Sequence, residues 1–369
     1  MTKPNSLLSA LLTLLLTPAT VSAITNNDVI FITLEEHWLS PALTPSFLAN
    51  PGTQLLSSGA LPPDFFSRLT DLGPLRLSNM TANQIRKQVV SHPSDPAALN
   101  QPALVTQANN QLAAGIANNT SRFAGFAYLP MAFPHLAAAE LERCVKELGF
   151  VGALIESHLP NGTTFDGAAY RPFWAKVAEL DVPVYLHPVL PDSNLYLDIG
   201  KAPYAPAVPV DFSLTTAVTL ATVAWGWHQD AGLQFLRMYV AGVFEEFPTL
   251  KIVLGHMGEV VPFMLDRANV FLKSPRGKAG LSLVETYKRN VWITTAGFFS
   301  LNPMATVLRA TARDRIMYSV DYPFGNSVLG KRFMEELRGS GMVSETEWEG
   351  IAYRNAERLL RLKLVGQID

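Results

Sequence analysis

From residue 24 onward, short runs of β-branched and aromatic residues alternate with longer stretches in which apolar positions recur at helical spacing. That alternation is the pattern of βαβ units. Eight runs read as strands: Val29–Leu34, Lys87–Val90, Phe123–Leu129, Val151–Ile155, Pro183–His187, Lys251–Gly255, Val291–Thr295 and Ile316–Val320. Helices are predicted between them, including Arg171–Leu180 and His135–Leu148, the latter with Leu136, Ala139, Cys144 and Leu148 toward one face. Eight such units predict an α/β fold, a (β/α)8 TIM barrel with loop insertions and a C-terminal helix, formed by one domain over 24–369. An open doubly wound sheet is the rival, but no Gly-rich phosphate turn follows the first strand. The Pro-rich stretches Ser40–Leu77 and Pro191–Pro209 lack periodicity and read as loops over the barrel mouth. Glu345–Leu364 is amphipathic and reads as the last helix.

Composition narrows the partners. The chain has 369 residues, 48% of them hydrophobic, so it can bury a large core. Its 29 basic and 31 acidic residues leave a net charge of −2 with no basic cluster, which argues against nucleic acid. Cys144 is the single cysteine, so no intramolecular disulfide forms, and its place on a helix face suggests a buried small hydrophobe. Lys3, the Leu-rich run Leu7–Leu16 and Val21-Ser22-Ala23 have the layout of a signal peptide over 1–23, predicting export and a secreted or endomembrane location. Sequons at Asn79, Asn118, Asn119 and Asn161 agree with a glycoprotein. The ten-residue apolar run is shorter than the ~20 residues a membrane span needs, and Phe212–Trp227 reads as a buried helix, so no span is predicted.

The reactive side chains gather at strand ends. Glu35 and His37 follow the first predicted strand, His187 ends the fifth, His256 follows the sixth and Asp321 closes the eighth. In a parallel barrel these ends open onto one face, where barrel enzymes carry their chemistry. Glu35 and His37, two apart on an extended chain, point the same way. With His187 and Asp321 they make a mixed N/O set suited to one divalent metal, Zn²⁺ first and Mn²⁺ second, with a position left for water or substrate. His256 and Glu259 extend the site as a proton relay, or form a helix-start capping arrangement. His92 and His135, beside prolines, read as solvated loop residues; His158, just after the fourth strand, and His228, near Trp225 and Trp227, read as core or surface histidines, with contact to substrate as the alternative. No Gly-x-Ser-x-Gly elbow offers a serine nucleophile.

At these residues the sequence resembles the amidohydrolase superfamily, in its aromatic-acid decarboxylase branch of 2,3-dihydroxybenzoate, γ-resorcylate and salicylate decarboxylases. The resemblance rests on Ile32-Thr33-Leu34-Glu35-Glu36-His37, Val182-Pro183-Val184-Tyr185-Leu186-His187-Pro188, Leu254-Gly255-His256-Met257-Gly258-Glu259 and Ser319-Val320-Asp321-Tyr322-Pro323-Phe324, in the family's order. His158 and His228 match no position of that pattern. The resemblance implies a TIM barrel with one divalent metal on Glu35, His37, His187 and Asp321. It implies that His256, Glu259 and Asp321 assist proton transfer, that Arg267 binds substrate across a subunit contact, and that the protein is a homodimer or homotetramer.

The activity so implied is metal-dependent, non-oxidative decarboxylation of an ortho-hydroxybenzoic acid, releasing CO₂ and a phenol. An aryl carbanion has no stabilisation, so the carbon bearing the carboxylate must be protonated before CO₂ leaves, and an ortho hydroxyl makes that possible. Two other classes compete. One is a mononuclear metal-dependent hydrolase of a lactone or amide; the other is a secreted barrel that binds an aromatic ligand or metal without turnover. Glu-x-His in place of His-x-His, and Ile155-Glu156 where a strand-four lysine would stand, argue against a two-metal hydrolase.

Overall fold

The computed structural model describes residues 30–57, 61–199, 201–206 and 212–362. The predicted signal peptide 1–23 lies outside them, as do Val29 and the last residues of the predicted C-terminal helix. Eight strands form: β1 Phe31–His37, β2 Ile85–Ser91, β3 Phe123–Gly125, β4 Ala153–Glu156, β5 Pro183–His187, β6 Lys251–Leu254, β7 Val291–Thr294 and β8 Ile316–Met317. All pair in parallel, β1 to β3 in one run and β4 to β8 in another. Parallel bridges Ala127↔Ala153 and Glu36↔Tyr322 join the runs at both seams, so the sheet closes into the eight-stranded barrel.

The interior is packed. Ile32, Leu34, Val89, Leu154, Tyr185, Val253 and Met317 meet inside, and Ala356, Leu359 and Leu360 from the C-terminal helix pack onto them. Following alternation from Ile32 and Leu34, Glu36 would point inward. The β1–β2 register instead slips between Thr33 and Glu36. Two successive amides, Leu34 N and Glu35 N, both donate to Ser319 Oγ, at 3.0 and 2.7 Å. This bulge reverses the parity of the strand end. Glu35 and His37 turn into the barrel, and Glu36 turns out to the seam, where it accepts from Val320 N at 3.0 Å and Tyr322 N at 3.1 Å. Burial pushes the Glu36 carboxyl up to about 7 against those amides. Arg76, wholly buried, stacks 4.7 Å over the Tyr322 ring and donates to the His37 carbonyl, tying the first insertion to the same seam.

Several expectations change. Ser40–Leu77 is not a run of loops: it holds the helices Thr44–Ala49, Pro51–Ser57 and Phe65–Leu69, and Pro74–Ala82 begins in it. Pro45, Pro51 and Pro74 sit in the first turn of helices, where a missing N–H costs nothing, and so mark starts rather than breaks. The helix Pro134–Lys146 buries Ala137, Ala138, Leu141 and Cys144, while Leu136 is exposed. The predicted face was out of phase by one residue. Phe212–Trp227 is split into Leu214–Ala221 and the start of Gly226–Val240, with Trp225 exposed at the break. A Cβ on Gly226 would lie 2.2 Å from the Ala221 carbonyl, so only glycine fits that corner. β8 stops at Met317 because a π-turn at Gly350–Arg354 frees the Ile351 carbonyl, which takes Tyr318 N at 2.8 Å. No helix among the described residues is long and apolar enough to cross a membrane.

Candidate metal and proton-transfer site

The strand ends bring the four predicted ligand residues together. His37 Nε2 lies 3.2 Å from Asp321 Oδ1, and His187 Nε2 lies 3.4 Å from Glu35 Oε1. Ligand atoms of Glu35, His37 and His187 fall within 4.8 Å of one another. The far nitrogen of each imidazole is engaged. His187 Nδ1 donates to the Pro188 carbonyl at 2.6 Å and His37 Nδ1 to the His92 carbonyl at 3.3 Å. A carbonyl only accepts, so Nδ1 of His187 carries the hydrogen and its Nε2 turns a lone pair inward, while His37, whose Nδ1 also meets Ser91 Oγ at 3.2 Å, turns Nε2 to Asp321 Oδ1. Glu35 Oε1 and Asp321 Oδ1 are buried without a hydrogen-bond partner. Imidazole nitrogens and carboxylate oxygens converging at this spacing fit one divalent cation.

Electrostatics separate the members of this group. Burial pushes Glu35 up to about 8, against the pull of His256, and pushes His187 down to about 3. For Asp321 burial also acts upward, but hydrogen bonds from His256 and His37 outweigh it and hold the carboxyl at about 2. Tyr185 supports Glu35: its hydroxyl donates to Glu35 Oε2 and meets Thr294 Oγ1 at 2.5 Å. Sequence reasoning missed Tyr185, although its place two residues before His187 put it on the same face of β5.

The proton side is built differently. His256, Met257, Gly258, Glu259 and Val260 all have positive φ, at 43°, 58°, 88°, 52° and 66°. Left-handed backbone costs a non-glycine residue about 1–2 kcal/mol, so five in succession is a strained turn. It replaces the helix cap that was the alternative reading: Glu259 caps no amide, and the N-cap position is Val260, with no side-chain cap. Instead Glu259 Oε1 meets His256 Nδ1 at 2.7 Å and Glu259 Oε2 meets His228 Nδ1 at 2.8 Å. His256 Nε2 then faces Asp321 Oδ2 at 3.6 Å and Glu35 Oε1 at 3.7 Å. Burial acts to lower His256, but Glu35, Glu259 and Asp321 raise it well above the ordinary imidazole range. His228, read as a core or surface histidine, is the second site residue that sequence reasoning missed.

A pocket opens over His187, His256 and Asp321. Phe47, Leu61, Leu190, Trp227 and Phe324 wall it, with the hydroxyls of Thr53 and Ser94 among them, both buried and unpartnered. No Lys or Arg lines it among the described residues. Arg267 stands apart, exposed on the helix Val261–Phe271 with its guanidinium 5.4 Å from the centroid of the Phe271 ring. His158 is half-buried and bonded to the Leu159 carbonyl. His92 is wholly buried rather than solvated, because Trp38, Tyr128 and the helix Pro102–Ile116 surround it; its ring bonds the carbonyls of Trp38 and Ala108. Cys144 is buried as expected.

Comparison with known proteins agrees with this geometry. Residues 93–362 match the family described as Amidohydrolase. Decarboxylase orsB of Emericella nidulans is 43% identical over 340 residues, spanning 90% of this chain and 97% of its own. A dihydroxybenzoic acid decarboxylase from Polaromonas sp., solved with bound manganese and the inhibitor 2-nitroresorcinol, is similar with a TM-score of 0.73 and 31% identity, over 90% of this chain and 97% of that one. The 5-carboxyvanillate decarboxylase of Novosphingobium aromaticivorans, solved with manganese and 4-hydroxy-3-methoxy-5-nitrobenzoic acid, has a TM-score of 0.76 at 26% identity, covering 91% and 97%. By these matches and by the residues at its strand ends, the chain belongs to the amidohydrolase family, in the branch that holds these aromatic-acid decarboxylases.

Proposed function

We propose that the protein is a metal-dependent, non-oxidative decarboxylase of an ortho-hydroxybenzoic acid. The observation that carries this reading is an apolar pocket whose floor joins a cation-binding set to a hydrogen-bonded imidazole. A divalent cation on Glu35, His37, His187 and Asp321 would supply a Lewis acid and a template for the carboxylate and its neighbouring hydroxyl. The chain's own groups do the rest. Phe47, Leu61, Trp227 and Phe324 enclose the ring and exclude water. Glu259 holds His256 so that Nε2 faces the pocket, and Asp321 takes that proton and delivers it to the ring carbon bearing the carboxylate. The carbon–carbon bond then breaks, CO₂ leaves, and its electron pair restores the ring.

Manganese is proposed as the metal, by analogy with the two solved relatives; zinc, which the N/O set also suits, is the other outcome. Phe263, Val270 and Phe271 are exposed beside Arg267, and Leu233 is exposed nearby on the helix Gly226–Val240. An apolar face of this kind is proposed to be covered by a second copy in a homo-oligomer, with Arg267 at the contact. Export is proposed on the Leu-rich N-terminus, with Asn118 and Asn161 exposed for glycans. Intact mass of protein from a eukaryotic secretory host tests it: an unglycosylated chain retaining Met1–Ala23 refutes it.

A panel of salicylate, 2,3-dihydroxybenzoate, γ-resorcylate and orsellinate-like acids, offered to the metal-loaded protein and read as CO₂ release, tests the activity. Turnover of an ortho-hydroxy acid but not of its para isomer is expected. Binding without CO₂, or hydrolysis of lactones instead, overturns the reading.

A further inference from the structure

Glu259 has two oxygens and gives one to each of two imidazoles. His256 Nδ1 lies 2.7 Å from Oε1 and His228 Nδ1 lies 2.8 Å from Oε2. His228 Nε2 also lies 3.1 Å from the Val223 carbonyl. Oxygens on both sides of the His228 ring fix its hydrogens: one points to Val223, and one lies on the line to Glu259. The Glu259 side chain is fully buried, so either oxygen left without a partner would be costly.

The backbone shows that this contact is built. His228 stands in the first turn of the helix Gly226–Val240, whose entry is set by the Gly226 corner. One turn on, at Gly232, an added Cβ would lie 2.4 Å from the Glu259 carbonyl. The helix therefore docks on Glu259 twice, through bare backbone at Gly232 and through the ring at His228. The His228 and His256 rings are 4.8 Å apart, with Phe298 edge-on to His228 at 5.7 Å. A second cavity, which also touches His256, is bordered by His228, Trp225 and Phe298.

We infer that His228 is a positioning residue for proton transfer, acting through Glu259 on His256. By donating to Oε2 it stops the carboxylate from turning, so that Oε1 stays on His256 Nδ1 and Nε2 stays aimed at the pocket. It also keeps Glu259 ionised: burial pushes that carboxyl up, and His256 and His228 together bring it below its ordinary value. In each turnover one proton leaves His256 Nε2 through Asp321, a C–H bond forms, the C–C bond breaks and CO₂ departs. Water returns the proton after release, and the two hydrogens of His228 stay in place. The inference rests on the proposal that His256 supplies the proton.

Two variants of the metal-loaded full chain test it, His228→Ala and His228→Gln, assayed with whichever hydroxybenzoate the unaltered protein decarboxylates. His228→Ala is expected to lose about 10- to 100-fold in kcat, with KM and metal content unchanged and a larger solvent deuterium isotope effect. His228→Gln, whose amide N–H can reach Oε2, should recover most of the loss. Unchanged kcat in His228→Ala, or a loss that follows metal content and is not recovered by His228→Gln, overturns the inference. Imidazole N–H resonances in ¹⁵N-labelled protein judge it without turnover, so failure of the decarboxylase reading is separable. The His256 Nδ1–H signal should be sharp in the unaltered chain and in His228→Gln, and broadened by water exchange in His228→Ala. A sharp signal in His228→Ala overturns the positioning role even if the enzyme proves to be something else.

Discussion

The two sides of the site solve one problem, aiming imidazoles into a barrel mouth, by opposite means. On the cation side, His37 and His187 sit on strand ends, His37 just past the slip in β1, with the carbonyls of His92 and Pro188 behind the rings. On the proton side, His256 leaves β6 into a left-handed turn, and its ring is steered by a carboxylate that a helix holds from outside the barrel. A ladder positions side chains at no conformational cost. A turn of five positive-φ residues must be held in place by its surroundings. The cation side should therefore fail locally when a ligand is removed, whereas the proton side should fail whenever a support is removed, however far it lies from the pocket.

The largest effect expected is at a ligand. His187→Ala should lose bound metal, by elemental analysis, and more than about 10⁴-fold of activity; full metal occupancy in that variant would take His187 out of the set. Glu259→Gln should keep the metal and still lose about 10²–10⁴-fold in kcat, and parallel loss of metal would erase the distinction between the sides.

A smaller effect concerns the ring behind His37. Burial pushes His92 down to about 4, against the carbonyls of Trp38 and Ala108. The unfolded chain takes up this proton near pH 6.5 and the folded chain only near 4. Stability is therefore lost as pH falls through that window, by about 3 kcal/mol. Urea melts should show His92→Asn losing less than the unaltered chain between pH 6.5 and 4; equal slopes would contradict a neutral buried ring.

The smallest is at Gly258, where φ is 88° and an added Cβ would meet Pro262 at 2.7 Å and Ile293 at 2.8 Å. Gly258→Ala should cost about 1–3 kcal/mol in urea melts and lower kcat while metal stays bound. An unaffected kcat would mean that the turn does not aim His256.

The same contrast explains what could be read from sequence. Strand ends are marked by β-branched runs, so Glu35, His37, His187 and Asp321 could be placed at the mouth, and β5 was bounded correctly at both ends. The proton side was half legible. His256 and Glu259 follow a strand and stand out, but a left-handed turn through Met257 and Val260 has no compositional mark. His228 comes from a helix far along the chain, and nothing local announces that Gly232 docks it on Glu259. The first insertion was misread for a related reason: proline was taken as punctuation between elements, although here it opens helices. The phase of Pro134–Lys146 slipped because alanines, which suit either face, dominate its first turns.

The slip in β1 has a consequence for how this barrel can vary. As far as Leu34 the strand answers to the packed interior, through Ile32 and Leu34; beyond it, the same strand answers to the cation. Ser319, two residues beyond β8 and reaching across to two adjacent amides of β1, is the joint between these halves. Changes of size among the interior residues can be absorbed upstream of that joint without turning Glu35 or His37, because their direction is set by a hydroxyl just beyond the neighbouring strand and not by the count of residues from the barrel floor. One serine thus lets core and metal site diverge independently along a single strand of seven residues.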